Sequence, residues 1–250
     1  HLTLAANPIV REIALAPGSA PEAVERISWS PDGARFAVRF AKRIEVRDAP
    51  TGARVDSLTA ETYALRSTAW TPDGRALAVA RQDGTIQLWT PGSSAEPRRI
   101  GKHEQPVTAL RFLPDGRHLL SSAGNLLSTS ATPSDDHEMG CVFAWDVDAG
   151  EATFVLGSGG MLVQGIEVDA RGTRALSLDR DGAVRVFDLE RRELVATRRF
   201  PGSFVTAAAF EGDAVLLCTS TNGVQLWDAR LEQRLAGRED AETIAGLLVD

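Results

Sequence analysis

The sequence is poor in lysine, methionine, tyrosine and cysteine. Its 250 residues contain two lysines, Lys42 and Lys102, and 27 basic residues stand against 34 acidic ones, which gives a formal net charge of −7. An acidic chain without a dense run of arginines lacks the broad basic face that binding to nucleic acid phosphates requires, so we expect no nucleic acid partner. The two cysteines, Cys141 and Cys218, provide neither a disulfide framework nor the spacing of metal ligands.

Long apolar runs are also missing. No stretch approaches the roughly 18 apolar residues of a membrane span, and no basic start precedes a secretory apolar core. We therefore expect no membrane span and a cytoplasmic location. The content of 43% hydrophobic and 24% charged residues is that of an ordinary globular protein. The chain starts at His1 and its methionines, Met139 and Met161, are internal, so we expect it to be part of a longer protein.

A repeat of about 42 residues organises the chain. Trp29, Trp70 and Phe112 each open a five-residue motif that ends in Pro-Asp-Gly, and they stand 41 and 42 residues apart. Degenerate copies begin at Val168, after 56 residues, and at Phe210, after a further 42. A second marker recurs in every unit, and its last positions are spaced 42, 56, 42 and 40 residues apart: 46–48, 88–90, 144–146, 186–188 and 226–228. Two markers with matching spacings indicate true internal repetition.

Each unit is predicted to form four short strands. The first strand is apolar at matched positions and ends in a turn where proline presets φ, aspartate bonds the local backbone and glycine supplies a positive φ. The second strand leads to a tight turn, with Asp-Gly at 83–84 and 181–182 and Asn-Gly at 222–223, which are dipeptides favoured in two-residue hairpins. The third strand alternates strictly, as at 86–89 and 184–187, and a short polar turn precedes the fourth.

These features resemble the WD-repeat β-propeller family, of a bacterial type with degenerate repeats. The resemblance implies an all-β propeller of four-stranded antiparallel blades, with five complete repeats and partial blades at both ends. The complete blades are predicted at 22–58, 62–100, 103–156, 160–198 and 202–236. The family's Gly-His pair survives loosely as Gly-Lys-His at 101–103, so we expect the hydrogen-bonded His, Ser or Asp, and Trp arrangement of family blades to be incomplete.

The two ends are predicted to belong to interrupted blades. Residues 1–15 resemble a third strand, its turn and a fourth strand, whereas residues 240–250 resemble a first strand. Because a propeller protects its edges by circular repetition, we expect the intact protein to have six or seven blades.

Two recurrent residue types invite a functional interpretation. Third strands carry a large aromatic residue in one shared register: Trp89, Trp145, Phe187 and Trp227. These side chains could form a stacking platform for a ligand, but we favour a structural role in which each packs between neighbouring blades. The aspartates that follow third strands are interpreted as turn formers through side-chain bonds to the local backbone: Asp48, Asp146, Asp188 and Asp228. Residues 146–151 resemble a calcium loop only faintly and lack its ligand run, so we expect no metal or other cofactor.

An insertion interrupts the third unit. Residues 124–138 stand between the second and third strands, where other units have a tight turn. Insertions in repeats map to loops on one face, often the binding face. Within it Asp135, Asp136, His137 and Glu138 are the candidate partner-binding residues, suited to a basic partner or a divalent ion. The alternative is a polar loop that is tolerated because lengthening a surface loop costs little.

Catalytic motifs are missing from the sequence. It has no Gly-x-Ser-x-Gly elbow, phosphate-binding loop, His-Glu-x-x-His or Cys-x-x-Cys, and His103 and His118 have no evident acid–base partner. We therefore expect a non-enzymatic scaffold that binds a protein or peptide on one propeller face, as the sensor or binding arm of a larger bacterial signalling protein. The alternative is a propeller that accompanies or performs hydrolysis, as a serine-peptidase gating domain or a metal hydrolase of the channel type.

Overall fold

The fold is known from a computed structural model, which describes residues 23–60, 65–124, 141–157, 162–180, 182–200, 203, 205–220 and 223–237. Within these ranges the chain forms twenty strands and no helix. The strands make five four-stranded antiparallel sheets in which each strand pairs with its neighbours in sequence. This confirms the predicted all-β class and the arrangement of propeller blades. The predicted partial blades at 1–15 and 240–250 lie outside the described residues.

The sheets are numbered 1 to 5 in chain order. Sheet 1 contains β1 (Arg26–Trp29), β2 (Arg35–Arg39), β3 (Arg43–Asp48) and β4 (Arg54–Thr59). Sheet 2 contains β5 (Leu65–Trp70), β6 (Leu77–Arg81), β7 (Thr85–Trp89) and β8 (Arg98–Lys102). Sheet 3 contains β9 (Val107–Phe112), β10 (His118–Ala123), β11 (Cys141–Asp146) and β12 (Glu151–Gly157). Sheet 4 contains β13 (Val163–Val168), β14 (Arg174–Asp179), β15 (Ala183–Asp188) and β16 (Glu193–Arg199). Sheet 5 contains β17 (Val205–Glu211), β18 (Ala214–Thr219), β19 (Gly223–Asp228) and β20 (Arg234–Ala236).

The turn between the first and second strands is built as its sequence predicts. In sheet 1 the carboxylate of Asp32 accepts hydrogen bonds from the Ser30 hydroxyl (2.6 Å) and the Ala34 amide (3.0 Å). These two bonds lower the pKa of Asp32. Gly33 has a φ of +68°, a conformation that a side chain would strain. Thr71 and Asp73 repeat the same bonding in sheet 2, so the motif is a local structural unit rather than a reactive site.

The aspartates that end third strands also form turns as predicted. Asp48 accepts the amide of Thr51 at 2.9 Å, and Asp146 accepts the amide of Ala149 at 3.0 Å. Asp188 and Asp228 accept the amides of Arg191 and Glu232, each at 2.8 Å. The hydroxyl and amide of Thr51 lower the pKa of Asp48, and the Ala149 amide together with Arg117 lowers that of Asp146. All four carboxylates therefore accept hydrogen bonds from local backbone amides and stabilise their turns.

The core lies between neighbouring sheets, in the order of the chain. Each third-strand aromatic is buried in a cluster shared with the preceding sheet: Trp89 against sheet 1, Trp145 against sheet 2, Phe187 against sheet 3 and Trp227 against sheet 4. Hydrogen bonds accompany this packing, since the indole of Trp70 donates to the carbonyl of Ser28 in sheet 1 at 3.2 Å. The predicted structural role of these aromatic residues is confirmed, because all four rings are buried in the contacts between sheets.

Candidate functional site

The five sheets present two opposite ends to solvent. In sheet 3, His118 pairs with Asp146 across β10 and β11, so the turns before β10 and after β11 share one end, which we call the turn face. At the other end Gly124, just after β10, donates to the carbonyl of Pro106, just before β9, at 2.9 Å. This end, where the chain passes from one sheet to the next, is called the connection face. Insertions between second and third strands open on it.

The described residues that flank the insertion of the third unit are Gly124 and Cys141, and both lie on the connection face. The predicted partner-binding residues Asp135, Asp136, His137 and Glu138 lie outside the described residues, and their role stays a prediction. The positions of the two ends of the insertion do fix which face of the molecule it departs from.

A central channel runs between the two faces. Its cavity, of about 720 Å³, is lined by the first strands of all five sheets: β1, β5, β9, β13 and β17. Hydroxyl and amide groups line much of its wall, including those of Thr68, Thr108, Gln164 and Thr206. The Thr108 hydroxyl donates to the carbonyl of Val163 in the next sheet at 2.6 Å, so part of this polar lining fastens sheets 3 and 4 together.

One ion pair crosses between first strands in the channel. Arg111 Nη2 lies 2.8 Å from Glu167 Oε2. Burial raises the pKa of Glu167, and the positive charges of Arg111 and of Arg26 partly offset this. This pair was not predicted from the sequence. Both residues directly precede the residue that ends the first strand, a position that Ser28 and Ala69 occupy in sheets 1 and 2.

A buried hydrogen-bond network joins sheets 2 and 3. His103, which follows β8, places its Nε2 at 2.7 Å from the hydroxyl oxygen of Ser121, and the Trp145 indole donates to the same oxygen at 2.7 Å. The imidazole also meets Phe143 and Trp145 edge to face. The expectation of an incomplete His, Ser and Trp arrangement is therefore wrong for this unit, where the extra Lys102 between glycine and histidine is the last residue of β8.

The two described histidines do have partners, contrary to the expectation from sequence. His103 is 1% exposed, so a substrate does not reach its imidazole. The His118 Nδ1 lies 2.6 Å from Asp115 Oδ2 on the turn face. Because Asp115 also accepts the backbone amides of Arg117 and His118, this pair stabilises the turn.

Neither a metal centre nor a spanning helix is found in the part of the chain that the structure describes. Over those residues, no three His, Cys, Asp or Glu side chains are grouped so as to hold a metal ion. The same ranges include no helix of the length and apolar character needed to cross a membrane.

Comparison with known proteins agrees with the fold. The family model described as "WD domain, G-beta repeat" matches residues 52–90 and 96–137. This chain contains WD40 repeats. The WD40 matches begin in the turn before β4 and continue into the insertion, so they span the last strand of sheet 1, all of sheet 2 and the first two strands of sheet 3.

Several known proteins align with parts of this chain. A WD repeat-containing protein of the cyanobacterium Synechocystis is 29% identical over 98 residues, covering 39% of this chain and 28% of that protein. Apoptotic protease-activating factor 1 of Rattus norvegicus is 27% identical over 189 residues, covering 74% of this chain and 14% of the factor. THO complex subunit 3 of Arabidopsis thaliana is 28% identical over 122 residues, covering 47% of this chain and 39% of the subunit. The chain thus aligns with less than half of the length of each relative.

The WD40 repeats indicate a protein-interaction scaffold. WD40 domains generally bind protein partners, and propellers of this family are generally not enzymes. In this chain the conspicuous titratable groups of the repeats, the turn aspartates and His103, are engaged in structural hydrogen bonds. Surfaces open to recognition include the mouths of the channel and the loops of the two faces.

Proposed function

We propose that this chain is the protein-binding arm of a larger bacterial signalling protein, that it acts in the cytoplasm, and that its partner binds on the connection face. The observation that carries the proposal is the position of the insertion: in an array of WD40 repeats, the one long departure from the repeat pattern opens on this face. Loops held on a rigid scaffold are the usual carriers of recognition, because they vary without disturbing the core.

Further support comes from composition and from the relatives. Arginine greatly outnumbers lysine, and three turns carry Pro-Asp-Gly, a style familiar in bacterial propellers. One aligned relative is cyanobacterial, and the alignments leave most of each relative uncovered, as for repeats that form one part of a longer protein. The placement in a signalling protein is an analogy from fold, since a fold alone does not carry function.

Deleting residues 125–137 from the full-length protein tests the proposal. We expect the melting temperature to stay within about 2 °C, because shortening a surface loop changes its closure entropy by only a fraction of a kcal/mol. We expect capture of the partner, measured by quantitative mass spectrometry of proteins retained on the immobilised protein, to fall at least tenfold.

Two controls separate the identity of the loop from its length. A variant that replaces residues 125–137 with glycine and serine at equal length is expected to lose capture as the deletion does. A variant that changes only Asp135 and Asp136 to asparagine and Glu138 to glutamine isolates the predicted acidic contacts. A large loss of stability together with unchanged capture would contradict the proposed role of the insertion.

A further inference from the structure

Four arginines that are far apart in the sequence converge where sheets 1 and 2 meet the connection face. Arg26 and Arg39 are directly paired across β1 and β2. Arg39 reaches sheet 2, where its Nη1 donates to the carbonyl of Leu65 at 2.6 Å, beside Arg66. Leu65 is in turn paired with Arg81 across β5 and β6. We refer to Arg26, Arg39, Arg66 and Arg81 as the arginine cluster.

The alternation of side chains along the strands directs Arg39 and Arg81 toward each other. Ala37 lies two residues before Arg39 on β2, and it is buried in the hydrophobic core between sheets 1 and 2. Leu77 and Val79 lie four and two residues before Arg81 on β6, and they are buried in the same hydrophobic core. Because alternate residues of a strand point to one side of the sheet, Arg39 faces sheet 2 and Arg81 faces sheet 1.

The positive charge of the cluster is only partly neutralised. Arg39 pairs with Glu25, with Nη1 and Oε2 2.6 Å apart. Arg26, Arg66 and Arg81 form no ion pair within the described parts of the chain, and Arg26 and Arg66 are exposed. The Nε atoms of Arg39 and Arg81 are buried and have no hydrogen-bond acceptor. Burial lowers the pKa of Arg39, the charge of Glu25 partly offsets this, and the neighbouring charges of Arg26 and Arg66 lower the pKa further.

The cluster reaches the channel through Arg26. Arg26 belongs to the cavity lining, and it is close enough to Glu167 of sheet 4 to lower the pKa of that carboxyl. A ligand held by the arginines would therefore enter the channel from the connection face, the face from which the insertion departs. The exposed guanidinium groups offer the paired donors that match a carboxylate with two parallel hydrogen bonds.

We propose that the arginine cluster binds an acidic segment of a protein partner, with successive Asp or Glu carboxylates spanning sheets 1 and 2. This inference rests on the proposed function and adds the chemistry of the partner. A peptide fits better than a nucleic acid because the chain as a whole carries a net charge of −7, so a long polyanion would be repelled beyond the cluster. A short acidic segment meets only the local positive charge.

Fluorescence anisotropy of the full-length protein with three labelled probes tests the proposal. The probes are a 12-residue peptide that alternates Glu with Gly or Ser, the same peptide with Gln at every Glu, and a 12-nucleotide oligothymidine. The variant R26E/R66E reverses the two exposed charges of the cluster. The control variant R75E/R171E makes the same change in charge at two exposed arginines of the turn face.

At about 50 mM salt, where exposed charges are weakly screened, we expect R26E/R66E to weaken binding of the Glu peptide at least tenfold. The control is expected to stay within twofold, and the Gln peptide not to bind. Thermal melts check that both variants are folded. The inference would be overturned if R26E/R66E and the unchanged protein bound the Glu peptide equally well, or if the Glu peptide did not bind at all. It would also be overturned if oligothymidine bound through the cluster more tightly than the Glu peptide does.

The outcome is separable from that of the proposed function. If deletion of the insertion abolishes capture of a partner while the Glu peptide fails to bind, the proposed function stands and the role of the arginine cluster falls. If the Glu peptide binds through Arg26 and Arg66 while deletion of the insertion leaves capture unchanged, the cluster is a site and the insertion is not.

Discussion

Replacing Asp179 with alanine is expected to lower the free energy of unfolding by about 3–5 kcal/mol, the usual cost of leaving one member of a buried ion pair without its partner. The Asp179 carboxylate pairs with the Arg185 guanidinium inside sheet 4 and also accepts a hydrogen bond from the Ser177 hydroxyl at 2.7 Å. The two side chains are 0% and 3% exposed, so water cannot replace the lost carboxylate. Urea denaturation followed by tryptophan fluorescence measures the loss.

A matched exposed aspartate provides the control. Asp213 lies 3.3 Å from Arg174, and its side chain is 85% exposed. Alanine at this position should change stability by no more than about 0.5 kcal/mol, because exposed ion pairs contribute little. The double variant D179L/R185M should recover most of the stability lost in D179A, since apolar side chains can replace a buried pair. A loss below about 1 kcal/mol in D179A would show that the pair does not hold sheet 4 together.

Replacing Gly101 with alanine is expected to destabilise the protein by about 3 kcal/mol, at the upper end of the usual cost of overpacking. A Cβ atom built on Gly101 would lie 2.4 Å from Cζ3 of Trp145, well inside contact distance. The indole cannot easily move away, because its Nε1 donates to the Ser121 hydroxyl that also bonds His103. The substitution therefore strains both the sheet contact and the buried network. Chemical denaturation and near-ultraviolet circular dichroism of the indole report the effect.

Gly157 is the control for this change, since a Cβ atom there meets nothing within 4 Å and the residue also lies in a strand. G157A should leave stability within about 0.5 kcal/mol of the unchanged protein. Combining G101A with W145L should cost less than the sum of the two single changes, because the smaller side chain removes the clash. Strict additivity would mean that Gly101 and Trp145 are not in contact.

The repeat spacing predicted the sheets because each strand type carries its own local signal. The turns after first strands depend on backbone conformation within a few residues, and a glycine with positive φ occupies this turn in all five sheets. The four predicted strands of each unit are also formed. The insertion is a different case, since neither marker covers it. Its candidate residues remain predictions, as they lie outside the described part of the chain.

The buried polar residues could not be predicted with the alternation rule alone. Two positions before the third-strand aromatic, the five units carry different residues: Glu45, Gln87, Phe143, Arg185 and Gln225. A charged residue in an alternating strand is normally assigned to solvent, yet Glu45 and Arg185 are both buried, and Arg185 belongs to a sheet with a neighbouring sheet on each side. Superimposing the third strands of the repeats would have revealed one shared position with an unusual run of polar residues.

Sheets 1, 3 and 5 fill this shared position with different contacts, whereas in sheet 2 the Gln87 Oε1 is buried without a hydrogen-bond partner among the described residues. In sheet 1 Arg47 replaces the aromatic residue, and its Nη2 lies 2.7 Å from Glu45 Oε2. In sheet 3 Phe143 stacks on Trp145. In sheet 5 the Trp227 indole donates to Gln225 Oε1 at 3.1 Å. Degenerate repeats thus keep the packing of a blade while exchanging its internal polar contacts, which explains why the family signature weakens without loss of the fold.

The arginine cluster illustrates a second limit of sequence reasoning. Its four members are single arginines separated by at least a dozen residues, so no basic run appears in the sequence. Only the pairing of β1 with β2 and of β5 with β6, and the contact of Arg39 with Leu65, bring them together. An acidic chain can therefore carry a local positive site that its net charge conceals.

Hydrogen–deuterium exchange of the full-length protein, alone and with the partner captured by it, tests the central claim that the connection face is the binding face. We predict slower exchange at residues 41–43, 65–67 and 103–106, which lie on the connection face near the arginine cluster and the insertion. Exchange at the opposite turns, residues 31–34, 72–75 and 114–117, should be unchanged. Protection confined to those turns, with none on the connection face, would contradict the account.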